Sequence, residues 1–302
     1  MRWVKHGLII EPNGQAGWIG THAALPVLHV TGANDRVYFS SRDALNRSHI
    51  GYATLSLQAP AESQGFSAAP VLSPGELGAF DDAGVTSSCL VEHGGRLHLF
   101  YTGWAVGVSV PFYLHAGLAV SDDDGLHFER VSRGPLLDRI ESDPLLTASP
   151  WVLIEDGVWR MWYVSGTDWQ ARADGPRHRY QIKYAESRNG LQWDRRGVVC
   201  IDYASPEEYA FGRPCVVKDG ELYRMWYSYR GVKYRMGYAE SSDGISWTRH
   251  DDRCVLETSA EGWDSEMVTY PVVIKRSGRW EMLYNGNGYG RTGIGLATQL
   301  PR

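Results

Sequence analysis

Arg279-Trp280-Glu281-Met282-Leu283-Tyr284, followed by Gly293-Ile294-Gly295-Leu296-Ala297, is the stretch that decides the fold. Earlier copies of this two-strand unit run on into another strand built around Phe or Trp, and this last copy does not. A strand of the missing kind stands at the other end of the chain, as Met1-Arg2-Trp3-Val4-Lys5-His6-Gly7-Leu8-Ile9-Ile10. A last repeat completed by the first residues describes a ring. The chain is therefore expected to be all-β, a five-bladed β-propeller whose blade 5 is closed by the N-terminal strand, with residues 1–302 forming a single domain.

Working outward from that unit, five segments share one grammar. A short apolar strand carries Pro or Cys near its start: Leu25-Pro26-Val27, Ser88-Cys89-Leu90, Ser149-Pro150-Trp151, Arg213-Pro214-Cys215 and Tyr270-Pro271-Val272. A turn follows, then an aromatic strand such as Trp159-Arg160-Met161-Trp162-Tyr163 or Tyr223-Arg224-Met225-Trp226-Tyr227. A third strand ends at Ala53, Ala119, Ala185, Ala239 and Ala297, in steps of 66, 66, 54 and 58 residues. A fourth follows Asp124-Gly125, Asn189-Gly190 or Asp243-Gly244, pairs in which both residues tolerate positive φ. In blade 1 this strand is degenerate and is expected between Phe66 and Leu72. A sandwich would not usually repeat a four-strand unit five times.

Composition agrees. Twelve Trp, 17 Tyr and 34 Gly suit short strands and tight turns, and no long stretch has helical periodicity. The net charge of −5 is spread without basic runs, which argues against a nucleic-acid partner. Cys89, Cys200, Cys215 and Cys254 have no metal-ligand spacing and read as buried thiols of a reducing compartment. No apolar run is long enough to span a membrane, and residues 1–20 lack a signal-peptide core, so a cytoplasmic protein is expected. Nothing in the spacing demands a cofactor or a metal.

A propeller gathers its chemistry on one face, around the axis. The loops entering the first strands and leaving the second strands open there. They supply acids, arginines, amides and aromatics, a mixture that suits a carbohydrate or sugar conjugate. Seven residues before each marker stand Ile19, Asp82, Asp143, Glu207 and Asp264. An acid repeated in this way reads as a loop-holding residue as readily as a functional one. Glu208 and Glu266 fall outside that register. The candidate catalytic acids are Asp82, Glu208 and Glu266. The candidate substrate-binding residues are His22, Arg42, Asp43, Arg47, Trp104, Arg213, Arg230, Tyr270, Asn285 and Asn287. Arg42 suits a bidentate clamp on carboxylate or phosphate, or an ion pair with Asp43. The Gly-rich run Tyr284 to Gly290 has no helix after it, so it is not a phosphate loop of the strand–loop–helix kind.

The repeated Arg-Met-Trp-Tyr, Tyr-Ala-Glu-Ser, Asp-Gly and Trp of Arg224 to Trp247 resembles the five-bladed propeller superfamily of glycoside hydrolases across the whole chain. That superfamily includes the arabinanase and xylosidase family 43, the invertases and levansucrases, and the mannoside phosphorylases. The resemblance implies cleavage of a glycosidic bond by carboxylates around an axial pocket. It also implies a base from blade 1, yet Gly20-Thr21-His22-Ala23-Ala24-Leu25-Pro26 holds no acid. A phosphorylase, with phosphate held by Arg42, Arg47, Arg213 and Arg230, stays open. So does a non-hydrolytic sugar or nucleotide-sugar binder of polysaccharide biosynthesis, and so does a protein-interaction propeller.

Overall fold

A computed structural model of the chain describes residues 2–299 apart from 13, 15, 33, 57–64 and 254. Cys254 therefore lies outside the described residues. The strands in chain order are β1 (Trp3–Ile10), β2 (Ala24–His29), β3 (Asp35–Arg42), β4 (Ser48–Leu55), β5 (Gly65–Phe66), β6 (Gly84–His93) and β7 (Arg96–Val106). There follow β8 (Phe112–Ser121), β9 (Glu129–Arg130), β10 (Leu146–Glu155), β11 (Val158–Gln170), β12 (Arg177–Ser187), β13 (Trp193–Asp194) and β14 (Val199–Ile201). The last are β15 (Ala210–Asp219), β16 (Leu222–Arg230), β17 (Tyr234–Ser241), β18 (Thr248–Arg249), β19 (Thr269–Arg276), β20 (Arg279–Asn285) and β21 (Ile294–Gln299).

These strands make an all-β propeller. Three sheets run β10-β11-β12-β13, β15-β16-β17-β18 and β19-β20-β21-β1. The fourth is an eight-stranded sheet, held at its middle by a single parallel pair, Ser48 with Gly84. Apart from that pair it is two antiparallel units, β2-β3-β4-β5 and β6-β7-β8-β9. The first strands touch in turn, β2 to β6, β6 to β10, β10 to β15 and β15 to β19, and β19 meets β2 again. The N-terminal strand pairs antiparallel with β21, Trp3 opposite Gln299 and Val4 opposite Thr298. The degenerate strand of the first unit is the short β5, with Phe66 opposite Ala53, and a further bridge joins Ile50 to Leu72.

The Pro and Cys markers are β-bulges. The first strand of each unit shifts register there: between Ala24 and Val27, Ser87 and Cys89, Ala148 and Trp151, Gly212 and Cys215, and Thr269 and Val272. In four of the five the residue before the proline is left-handed: Leu25 (φ 55°), Ser149 (φ 48°), Arg213 (φ 46°) and Tyr270 (φ 54°). Each is a non-glycine in a sparsely populated region, costing about 1–3 kcal/mol, and such residues cluster where a fold aims side chains at a site.

Polar side chains of the second strands tie four of the five bulges to a neighbouring unit. Ser87 N–H donates to Ser40 Oγ (3.0 Å), Ser149 N–H to Thr102 Oγ1 (2.8 Å) and Tyr270 N–H to Ser228 Oγ (2.9 Å). The series closes between the ends of the chain: Leu25 N–H donates to Asn285 Oδ1 (2.8 Å), and Asn285 Nδ2 donates to Ala23 O (2.8 Å). Asn285 is thus a buried clasp between first and last units, and not a ligand-facing amide.

The fourth-strand turns differ in detail from expectation. Asp124 and Gly125 both take positive φ, but in the other two turns only Gly190 and Gly244 do. There the acceptor side chain does the work: Asn189 Oδ1 takes Leu191 and Gln192 N–H, and Asp243 Oδ1 takes Ile245 and Ser246 N–H. The turn carbonyls then pin neighbouring units, Tyr38 Oη donating to Gly125 O (2.9 Å) and Trp162 Nε1 to Gly244 O (2.7 Å).

Candidate functional site: an axial pocket without acids

A cavity of about 450 Å³ opens at the axis and takes wall residues from all five units. Five of the residues singled out from sequence line it: His22, Arg42, Trp104, Arg230 and Tyr270. His178, Tyr180, Tyr234, Tyr289 and Phe112 complete its aromatic and polar wall. Among the described residues that line it there is no Asp or Glu.

The acids of the entry loops are engaged elsewhere, in a repeated framework contact. In the second strand of four units stands a buried tyrosine, and its hydroxyl donates to a carboxylate that also binds a cation. Tyr101 meets Asp81 (3.1 Å), which Arg130 holds at 2.8 Å. Tyr163 meets Asp143 (2.9 Å), with Arg195 at 3.2 Å and Lys183 at 3.4 Å. Tyr284 meets Asp264 (3.1 Å), which Lys5 of the N-terminal strand reaches at 2.7 Å. Tyr227 meets Asp251 (2.6 Å), and Arg249 bridges Asp251 to Glu208. In the first unit tyrosine gives way to Phe39 and the acid to Ile19, with Trp18 packed on Phe39 at 5.1 Å. The acid absent from the blade 1 entry is thus the apolar member of a structural series. Asp143 and Asp264, each seven before its marker, are buried; in the other two units the buried acid is Asp81 or Glu208, one residue away from that position.

The three candidate catalytic acids do not meet. Glu208 is buried and takes both terminal nitrogens of Arg249 (2.7 and 2.9 Å) as well as Ala204 N–H (2.9 Å). Asp82 takes Gly78 N–H at 3.0 Å within its loop. Glu266 is solvent-exposed, and its N–H donates to Asn287 Oδ1 (2.8 Å). Asn287 also accepts Met267 N–H and donates to Gly262 O, so it fastens that loop and does not point into the pocket. Asp43 and Arg47 likewise pair with one another: Asp43 takes Leu45 and Arg47 N–H, the Arg47 side chain (2.9 Å) and His49. Arg213 is not in the wall either; it lies beneath, 1% exposed.

The pocket is electropositive. Arg42 donates to Asn46 Oδ1 (3.0 Å), and Arg230 donates to Tyr289 Oη (2.9 Å) while its guanidinium lies over the rings of Tyr209 and Tyr234, 5.4 Å from each. Neither has a carboxylate among its described side-chain hydrogen bonds or ion pairs. The two histidines are kept neutral. Burial, with Arg42 and Arg291 nearby, takes His22 from 6.5 down to about 4. Burial, with Arg230 and Arg177, takes His178 down to about 4. His178 stacks on Tyr180 (centroids 4.1 Å apart, 17° between planes) and leaves its buried Nε2 unpartnered. The phenol of Tyr270 is pushed well up by burial and then by Tyr289, against the opposing pull of Arg213, Arg42 and Arg230, so it stands protonated among three guanidinium groups.

Sequence reasoning missed His178, Tyr180 and Tyr234. All three belong to third strands, and third strands begin at the same end of the hairpin where second strands leave. Both arms of a hairpin open on one face, so the residues just before Ile182 and Met236 were available signals.

Fold and axial pocket together define a β-propeller, similar in fold to solved structures described as glycoside hydrolases. Solved structures with this architecture include one described as "Glycoside hydrolase" (TM-score 0.75, 19% identity, 99% of this chain and 92% of the other). Another is a thermostable family-43 glycoside hydrolase (TM-score 0.69, 17% identity, 95% and 91%). Within that class the chain belongs to the family of a Mycobacterium tuberculosis protein, "Uncharacterized protein MT1551" of strain CDC 1551 / Oshkosh, 42% identical over 298 residues, 98% of this chain and 99% of the relative. The same identity and coverage hold for "Uncharacterized protein Rv1502" of strain H37Rv. A more distant relative is a 1,2-beta-oligomannan phosphorylase of Thermoanaerobacter sp., 25% identical over 221 residues, 72% of this chain and 69% of the relative. No family model matches the chain.

Proposed function

We propose that the axial pocket binds a carbohydrate carrying an anionic group, a phosphate or a carboxylate. The observation that carries this is the charge of the wall: Arg42 and Arg230 without carboxylate partners, and no acid among the described lining residues. A guanidinium binds phosphate or carboxylate oxygens with paired, charge-assisted hydrogen bonds. Trp104, Phe112, Tyr180 and Tyr234 offer ring faces of the kind that stack on sugar C–H surfaces, and a cavity of this volume is in the range of small-molecule sites. His22, Arg42, Trp104, Arg230 and Tyr270 are the substrate-binding residues in this reading.

Hydrolysis by paired carboxylates has less support. It needs two acids about 5–10 Å apart across the scissile bond. Asp82, Glu208 and Glu266 are engaged in loop and ion-pair contacts outside the pocket wall. A second reading is phosphorolysis of a mannoside or related glycoside, favoured by the likeness to an oligomannan phosphorylase.

The test is a binding titration with a hexose 1-phosphate, the corresponding hexose and a uronic acid, followed by product analysis with and without inorganic phosphate. Tighter binding of either anionic sugar than of the neutral one supports the proposal. Equal or tighter binding of the neutral hexose rejects it. Phosphate-dependent release of a sugar phosphate from an oligosaccharide selects the second reading.

A further inference from the structure

We infer that Arg213 holds a small monovalent anion, chloride, on the propeller axis beneath the sugar pocket. The inference is independent of what the pocket binds.

Arg213 is a bulge residue of the first strand β15, in left-handed conformation. It is 1% exposed. Its Nη2 crosses to donate to Pro26 O on β2. The groups that act on its charge are Cys89 on β6, Cys215 on β15 itself and Tyr270 on β19. First strands of four of the five units therefore surround it, which puts the guanidinium inside the ring. Gly212 and Tyr270, its neighbours in chain and in space, line the pocket above, so the guanidinium lies just under the floor.

No protein anion offsets this charge among the described residues. None of the groups acting on it is an acid. Burial pushes both thiols up to about 12, so Cys89 and Cys215 are neutral, and Tyr270 is a phenol. Burial also draws Arg213 down to about 10, which leaves it protonated at neutral pH. Its Nε and Nη1 have no hydrogen-bond partner among the described residues. An uncompensated buried cation costs several kcal/mol, and a guanidinium cannot escape by losing its proton. Water would satisfy the N–H groups without balancing the charge. A small monoanion beside either group accepts its hydrogen bond and balances the charge, whereas a phosphate dianion would leave an unbalanced charge in the same low-dielectric core.

Crystals of the full chain grown with bromide in place of chloride test this by anomalous scattering. The expected result is a bromide peak within hydrogen-bond reach of Arg213 Nε or of Nη1. Water alone at that place, or bromide found only beside Arg42 and Arg230 in the pocket, overturns the inference. In solution, replacing gluconate by chloride at constant ionic strength should raise the Tm by about 2 °C or more. Arg213→Met should abolish that rise while leaving a folded protein. Equal Tm values of the natural chain in the two salts also overturn it, and neither that measurement nor the bromide map needs the variant to fold.

Discussion

Arg230 and Arg42 are predicted to carry ligand affinity, and the acids are not. Arg230→Met or Arg42→Met should weaken binding of the preferred anionic sugar by about 10–100-fold, the loss expected of one charge-assisted contact, with little change in Tm. Asp82→Asn and Glu266→Gln should leave that affinity unchanged, since both side chains sit in loops outside the wall. Titration calorimetry on the four variants checks this. The pH dependence separates ligand from protein. With His22 and His178 both near 4, the pocket histidines keep one charge state from pH 5.5 to 8. Affinity for a sugar phosphate should then rise with pH through about 6, as the phosphate takes its second charge. Affinity falling over that interval would mean that a histidine protonates in the site. Stability follows the same groups: between about 4 and 6.5 the unfolded histidines bind more protons than the folded ones. Their contribution is therefore fully present above 6.5 and declines as pH falls toward 4.

At the level of the element, the tyrosine–carboxylate–cation contact is what fastens the outer strands to the inner ones. Glu208→Gln weakens the pair with Arg249, and Lys5→Met leaves Asp264 buried with only a phenol. Each should cost about 1–3 kcal/mol in denaturant unfolding, without affecting a pocket that neither residue lines. A variant that keeps its Tm but loses ligand would reassign Glu208 to chemistry. This contact also explains what the sequence made legible. The periodic Pro and Cys markers, the aromatic strands and the Gly turns are local and recur, so the strands of the four-strand units and the partner of β1 are readable from them, whereas β14, an extra strand on β12, has no place in the repeat. The acids recur too, but Asp81 carries the contact where counting back from the marker points to Asp82, and Asp251, joined to Glu208 through Arg249, carries it where the count points to Glu207. Loop length sets that offset, and loops do not keep a period. The pocket was half readable for a related reason. His22 and Tyr270 stand just before markers and Arg42, Trp104 and Arg230 just after aromatic strands, whereas His178, Tyr180 and Tyr234 come from the starts of third strands, where only the hairpin geometry points to them.

For the whole molecule, closure rests on two joints between the chain's ends: the pairing of β1 with β21, and the clasp of Asn285 on Leu25 and Ala23. Removing residues 2–10 strips the last unit of its outer strand and Asp264 of Lys5, and should abolish cooperative unfolding or lower the Tm by ten degrees or so. A truncated chain with an unchanged transition would mean that the ring does not need β1. The ring's purpose, in this account, is to aim side chains from five units at one axis while turning its acids outward into the framework. The measurement that tests this most directly is calorimetric titration of the natural chain and of Arg230→Met with a hexose 1-phosphate, the parent hexose and a uronic acid. An anionic sugar should bind at least ~10-fold more tightly than the hexose, and the advantage should disappear in the variant. Equal affinity for the neutral hexose, undiminished in Arg230→Met, would contradict it.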